Sequence, residues 1–281
     1  MRVELVARTM TPFDSGYTEI MATLLIAGID SDLANPLIEF ARTNRWTVIG
    51  TTRRKTSSKI KNLADEVFEC DFSSPSSIDN CTQGIFKSVT TSRLLTVISI
   101  GTLEPIGKIT QVDFDSWHRG FEVNGLGPLR FIRNLLKNRQ VFDDLYLTYA
   151  GSGTNSAPTH FSSYTLAKIM LIKAVEILSQ EYPNQTFISL GTGWMKSKIH
   201  ESVLSSNYAP QEIKLETQHR IDTDNFGNPQ QISAFLEEIL SRDASLVSGR
   251  NFSLQDDPWG DEAFWNDLKI NNDGNKLRRA K

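Results

Sequence analysis

The chain holds two cysteines, Cys70 and Cys81, in 281 residues. Two cannot build a disulfide framework, and their spacing is not a metal pattern. A reducing, cytoplasmic setting fits, and no metal is expected. Long apolar runs are missing as well. None reaches the roughly 18 residues needed to span a bilayer, so no membrane partner is expected. A surplus of positive charge is also absent: 30 Lys and Arg stand against 33 Asp and Glu, for a net charge of −3 and a pI near 5.9. That balance argues against nucleic acid as a main partner. Residues 1–21 lack the apolar stretch of a signal peptide, and Glu4, Asp14 and Glu19 argue against a transit peptide. With Met21 just before the first apolar run, this leader is expected to be a loosely ordered extension.

What is present is an alternation. Short apolar runs recur at Thr23–Gly28, Trp46–Thr51, Glu66–Glu69, Leu95–Ser99, Leu145–Tyr149 and Thr186–Leu190. Near-continuous apolarity suits strands covered on both faces. Helical patterns separate them. Asn35 and Pro36 read as N-cap and N1 of a helix reaching about Thr43. Residues 113–138 and 162–181 read as long amphipathic helices, the second with Ala167, Leu171, Val175 and Leu178 at helical spacing. The alternation predicts an α/β fold, a doubly wound parallel sheet in three α/β/α layers. At 39% hydrophobic the chain supports one large core. One domain is expected over 22–255, with a C-terminal tail over 256–281. The tail is polar beyond about Asn266 and reads as a solvated end; Trp259, Phe264 and Trp265 read as a packing anchor.

In such sheets ligands sit at the carboxyl ends of the strands. Strand one ends at Gly28, in a turn into a helix N-terminus, which is a site for phosphate. Strand two ends in Thr51-Thr52-Arg53-Arg54-Lys55. A carboxylate there would favour NAD, whereas an arginine accommodates the 2′-phosphate of NADP. The helix after strand four carries Asn124. Strand five runs into Gly151-Ser152. Tyr164 and Lys168 stand four apart, one turn along one helix face. An ammonium beside the phenol would lower the Tyr164 pKa from about 10 and make it a proton donor and acceptor near neutrality.

Taken in order, these pieces resemble the short-chain dehydrogenase/reductase family, single-domain type, over about residues 22–255. The matching pieces are the strand-one glycine turn, Cys70-Asp71-Phe72, Gly101, Val123-Asn124 with Gly127-Pro128, Ser152, the Tyr164/Lys168 pair and Thr192-Gly193-Trp194-Met195-Lys196-Ser197. The resemblance implies a Rossmann-like fold and an NADP(H)-preferring carbonyl reductase or alcohol dehydrogenase. It implies that Tyr164 is the general acid, that Lys168 tunes it and holds the nicotinamide ribose, and that Ser152 bonds the substrate oxygen. Asn124 would anchor the water of a proton relay to Lys168. Cofactor contacts fall on Gly28, Ser31 and Leu33, on Thr52 and Arg53, and on Asp71 and Phe72. Others fall on Gly101, Gly193, Met195 and Ser197. The long helices are the surfaces on which this family forms dimers and tetramers, so a homodimer or homotetramer is expected.

The chain departs from the pattern at four places. The second and third glycines of the turn are Asp32 and Ala34, the element after strand four is Ile98-Ser99-Ile100-Gly101, the Ser152 to Tyr164 spacing is one short, and Thr192 replaces a proline. A carboxylate at 32 should weaken pyrophosphate binding unless it points away, for instance as a helix cap. The altered turn and the Ser248–Trp259 run are similar to those of relatives acting on sugars, sugar-linked lipids or polysaccharides. The substrate is therefore expected to be a polar small molecule, sugar derivatives included. Residues 198–229 have little periodicity, carry His200, Tyr208 and His219, and fall where the family keeps its substrate lid. Two other readings stand beside the enzyme: a non-enzymatic NADP(H) sensor or scaffold, and an epimerase or dehydratase on a nucleotide sugar.

Overall fold

The six apolar runs form strands within two residues of the positions their patterns indicate. The computed structural model describes residues 22–53, 58–139, 143–151 and 153–279. The 1–21 extension and Ser152 lie outside the described residues. In chain order the elements are β1 (Ala22–Ala27), α1 (Ala34–Thr43), β2 (Thr47–Thr52), α2 (Ser58–Lys61), β3 (Glu66–Glu69), α3 (Pro75–Ser88) and β4 (Arg93–Ile98). Next come α4 (Phe114–Phe121), a π-helical turn (Glu122–Leu126), α5 (Gly127–Arg139), β5 (Leu145–Ala150), α6 (Ser162–Glu181) and β6 (Thr186–Gly191). The chain continues through α7 (Ile199–Ser205), α8 (Gln211–Asp222), α9 (Gln230–Leu240), α10 (Ala244–Val247), β7 (Arg250–Ser253) and α11 (Glu262–Ile270).

The strands form one parallel sheet in the order β3-β2-β1-β4-β5-β6-β7. The order reverses between β1 and β4, where such folds open a crevice. Successive strand residues face opposite layers. Leu24 and Ile26 point to one side, with Leu37 of α1, Phe235 of α9 and Trp265 of α11. Leu25 and Ala27 point to the other, with Ile78 of α3, Phe131 of α5 and Val175 of α6.

Four local expectations change. First, α1 starts at Ala34, and Leu33 in the cap position has no side-chain hydrogen bond. The turn bond Ala34 N–H to Ser31 O, 3.2 Å, already winds the chain there, so Asn35 is inside the helix rather than its cap. Second, the helix expected over 113–138 is broken by the π turn. A Cβ on Gly127 would lie 2.2 Å from the Phe72 carbonyl oxygen, and one on Gly125 would lie 3.1 Å from Ala167 Cβ. Only glycines let this segment approach both neighbours so closely.

Third, residues 198–229 are largely helical, in α7 and α8. Val203 is buried with Ile106 and Phe161 in a small apolar cluster that Ile213 of α8 joins. The polar face of α8 hides this packing from periodicity. Fourth, the C-terminal end is not simply solvated. Trp265 is fully buried, as a packing anchor is expected to be, but beyond it Asn275 is also tied down, its carbonyl accepting the Asn251 N–H at 2.7 Å. Arg278 forms an ion pair with Glu176 at 2.6 Å. The buried Arg250 guanidinium donates to carbonyls of Leu246, Leu268, Asn271 and Gly274, which fastens residues 268–274 to β7.

Candidate active site

The carboxyl ends of the strands open into a cleft of about 1170 Å³. It is lined by Gly28, Ser31 and Leu33 from the first turn and by Arg53, Asp71 and Phe72 beyond β2 and β3. Gly101, Tyr164, Lys168, Gly193, Met195 and Ser197 complete it. Residues from six separate stretches of chain thus meet in one cavity. Two described candidates do not line it. Thr52 is buried, with its carbonyl accepting the Cys70 N–H at 2.9 Å, and Asn124 is fully buried behind the wall.

The first turn is built around Gly28, whose φ of +88° is a left-handed conformation. Gly28 N–H and Ile29 N–H both donate to Thr51 O, at 3.1 and 2.9 Å, which folds the turn against the end of β2. A Cβ on Gly28 would sit 2.8 Å from Ile100 Cδ1 and 3.0 Å from Ser99 O. Of the first three positions of α1, Ala34 already gives its N–H to Ser31 O and Pro36 has none, so the uncapped helix start leaves the Asn35 N–H for an anion. Ser31 and Ser99 join hydroxyls across the turn at 2.6 Å. Asp32 is not a helix cap; its carboxylate crosses the cleft and accepts the Lys198 N–H at 2.8 Å. Arg53 is exposed at the rim, and residues 54–57 beyond it lie outside the described residues.

The far wall carries two titratable groups, Tyr164 and Lys168. Part of the Tyr164 ring faces the cleft, yet burial pushes the phenol up to about 12. Lys168 is buried, and burial pushes its ammonium down to about 8. Both shifts have one cause: a low dielectric penalises either charged form. The lysine does not lower the Tyr164 pKa as the spacing predicts. Its Nζ donates to Ile100 O at 3.1 Å and lies 5.8 Å from the Tyr164 ring centre. Asn124 sits in the π turn with its side chain fully engaged. Oδ1 accepts the Thr102 N–H at 2.9 Å, and Nδ2 donates to the carbonyls of Thr102 and Gly120, both at 2.8 Å. Its side chain thereby fixes the strand-four loop that offers Ile100 O to Lys168.

Gly151 was not among the residues singled out from sequence, yet it seats the tyrosine. A Cβ there would meet Tyr164 Cε1, Cζ and Oη at 2.7 to 2.8 Å. Gly151→Ala is expected to displace the phenol. Overpacking of this kind costs about 1–3 kcal/mol, and a displacement of about 1 Å costs roughly a hundredfold in turnover. Thermal unfolding and steady-state rates check this together; unchanged turnover would show that the ring has room to move. Ser99, Thr102 and Lys198 were also missed, because their roles are pairings between distant segments with no local pattern.

Gly101 differs from Gly28. The nearest atoms to a Cβ there are Asn124 Oδ1 at 3.7 Å and Ile199 Cδ1 at 4.0 Å, so its bare face looks into open cleft. Gly193 has φ +70° and turns the chain into Trp194. His200 stacks on Trp194 at 5.1 Å, its Nε2 donating to Met195 O at 2.8 Å, while the Arg220 guanidinium lies 4.6 Å over the indole. These contacts hold α7 over the cleft. Tyr208 and His219 are exposed. Among the described residues no group of three or more His, Cys, Asp or Glu could hold a metal. Nor is any described helix long and apolar enough to cross a membrane. Cys70 and Cys81 are free and buried.

Residues 40–255 match the family described as enoyl-(acyl carrier protein) reductase. No curated protein matches the chain. Solved structures match its fold. A short-chain dehydrogenase/reductase from Saccharomyces cerevisiae aligns with a TM-score of 0.73 at 14% identity, covering 86% of this chain and 98% of its own. The ligand-free aldohexose dehydrogenase of Thermoplasma acidophilum aligns at 0.68 and 16%, covering 85% and 94%. A variant of the actinorhodin polyketide ketoreductase, solved with NADPH, aligns at 0.68 and 15%, covering 84% and 96%.

Proposed function

The chain belongs to the short-chain dehydrogenase/reductase family, matching its enoyl-(acyl carrier protein) reductase group, and from that membership we propose that it is an NADP(H)-dependent carbonyl reductase or alcohol dehydrogenase. Its substrate is a polar small molecule, sugar derivatives included. The observation that carries this reading is the Tyr164 and Lys168 pair facing the cleft beside Gly151 and opposite the Gly28 turn. The aldohexose dehydrogenase among the structural neighbours supports a sugar-like substrate, and the ketoreductase with NADPH supports the cofactor.

The residues present fit such a cofactor. The left-handed Gly28 turn and the uncapped start of α1 bring the positive end of the helix dipole to where a pyrophosphate would sit. The open face of Gly101 leaves room that a side chain would fill. Asp71, with Oδ1 fixed by Ser73 N–H and Oγ at 2.9 and 2.8 Å, lies where the adenine half would rest. When bound, the nicotinamide supplies or accepts the hydride. Tyr164 gives its proton to the substrate oxygen in reduction and takes it back in oxidation. Lys168 holds the ribose and, at about 8, exchanges protons readily near neutrality. Ser152, by the family likeness, steadies the substrate oxygen as charge develops there. Met195 and Ser197 hold the carboxamide and phosphates. A cytoplasmic homodimer or homotetramer belongs to the same reading; Leu166 and Ile177 stand exposed on α6 and Phe114 on α4.

Arg53 carries the cofactor preference. Arg53→Ala is expected to weaken NADPH binding about 10- to 100-fold, the worth of a charge-assisted phosphate contact, with NADH little changed. Calorimetric titration of both nucleotides tests this. Wild type binding NADH more tightly would overturn the preference but not the enzyme. Binding of NADPH with no turnover on any carbonyl substrate would favour the sensor reading, which Asp32 in the phosphate turn motivates.

A further inference from the structure

Asp32 stands where the family's turn has its second glycine, and the structure gives this departure a partner. Its Oδ2 accepts the Lys198 backbone N–H at 2.8 Å, and its Oδ1 lies 3.5 Å from Lys198 Nζ. The two residues sit on facing walls of the cleft, one in the turn after β1 and the other in the segment after β6, and both line the cavity. The nearby Lys196 is engaged elsewhere, with Asp224 at 2.8 Å. Lys198 is thus the lysine of this segment that faces the phosphate turn.

A pyrophosphate seated on the Gly28 turn brings negative charge beside Asp32. An uncompensated carboxylate there would repel it. A cation shared between carboxylate and phosphate turns that repulsion into attraction. An ammonium has three donors, so one Nζ can serve both. Building on the NADP(H) reading, we propose that Lys198 binds the cofactor pyrophosphate and that Asp32 is the positioning residue that holds it over the turn. The pair takes the place of the missing glycine. Where the family admits the phosphates by removing a side chain, this chain bridges them through a cation from across the cleft.

The alternative is a partly exposed ion pair that only tethers the lid, a contact of little worth. Calorimetry separates the two, using NADPH and 2′-AMP, which carries the adenosine phosphate but no pyrophosphate. Lys198→Met is expected to weaken NADPH about tenfold while 2′-AMP stays within about twofold, since only the former loses a charge-assisted contact. Lys198→Arg, which keeps the charge, should stay within about threefold for NADPH. In an Asp32→Asn background Lys198→Met should cost less than about threefold, because coupled residues are non-additive. An unchanged NADPH affinity in Lys198→Met overturns the proposal. So does equal weakening of NADPH and 2′-AMP, which would indicate a general loss of the cleft. If wild type binds 2′-AMP but not NADPH, Lys198 fails as a pyrophosphate ligand. If wild type binds neither, the cofactor reading itself falls, and this inference falls with it.

Discussion

Tyr164→Phe is expected to lower turnover by about 10²–10⁴-fold, the usual worth of a positioned general acid, with NADPH affinity preserved. The substitution removes one hydroxyl from a ring seated on Gly151, so the packing survives. Single-turnover rates and a cofactor titration on the same preparation check it. Retained turnover would remove Tyr164 from the chemistry. The pH dependence gives a second readout. With the phenol at about 12, Tyr164 stays protonated throughout the neutral range. Reduction therefore shows no Tyr164-linked fall with rising pH until well into the alkaline range. Oxidation needs the phenolate, so its rate rises with pH by up to about tenfold per unit. Stability follows the opposite senses of the two shifts. Lys168 is lowered from 10.5 to about 8, so the stability it contributes is full above 10.5 and lost as pH falls through about 8. Tyr164 is raised from 10.0 to about 12, so its contribution is full below 10.0 and lost as pH rises through about 12.

The largest effect on folding is expected at the other end of the chain. Trp265→Ala should destabilise the protein by about 3–5 kcal/mol, the range for truncating a buried large aromatic. Trp265 is fully buried, with Phe252 and Phe264 rings at 5.7 and 5.2 Å and its indole N–H donating to Trp259 O at 2.6 Å. The Arg242 guanidinium lies 5.0 Å over the same ring. Ile270→Ala, at an 87% exposed position of the same helix, should change stability by less than about 0.5 kcal/mol. Urea denaturation of the two variants provides the comparison. A shift below about 1 kcal/mol for Trp265→Ala would mean that α11 decorates the domain rather than completing its core.

The sheet was legible because parallel strands covered on both faces must be apolar on both faces. Five of its strands announce themselves in this way, while β3, at the sheet edge, shows only Val67 and Phe68 between exposed glutamates. The seventh, Arg250–Ser253, is short and polar at three of its four positions, and its arginine is buried only because four backbone carbonyls receive it. Helices α7 and α8 escaped for a similar reason. In α8 only Thr217 is buried, so the segment gives no apolar stripe to read.

The sequence by itself determined the residue types and their order: a glycine turn, an arginine after β2, and Tyr164 four residues before Lys168. Helical geometry puts the last two on one face whatever surrounds them. Only the tertiary structure decided what each group is next to, and adjacency sets charge. Spacing predicts an ammonium that lowers the Tyr164 pKa. The fold turns that ammonium to Ile100 O and buries both groups, so the phenol rises instead. Spacing likewise left Asp32 a liability in the turn. The fold carries Lys198 to it from 166 residues away, because β1 and β6 end on the same edge of one sheet.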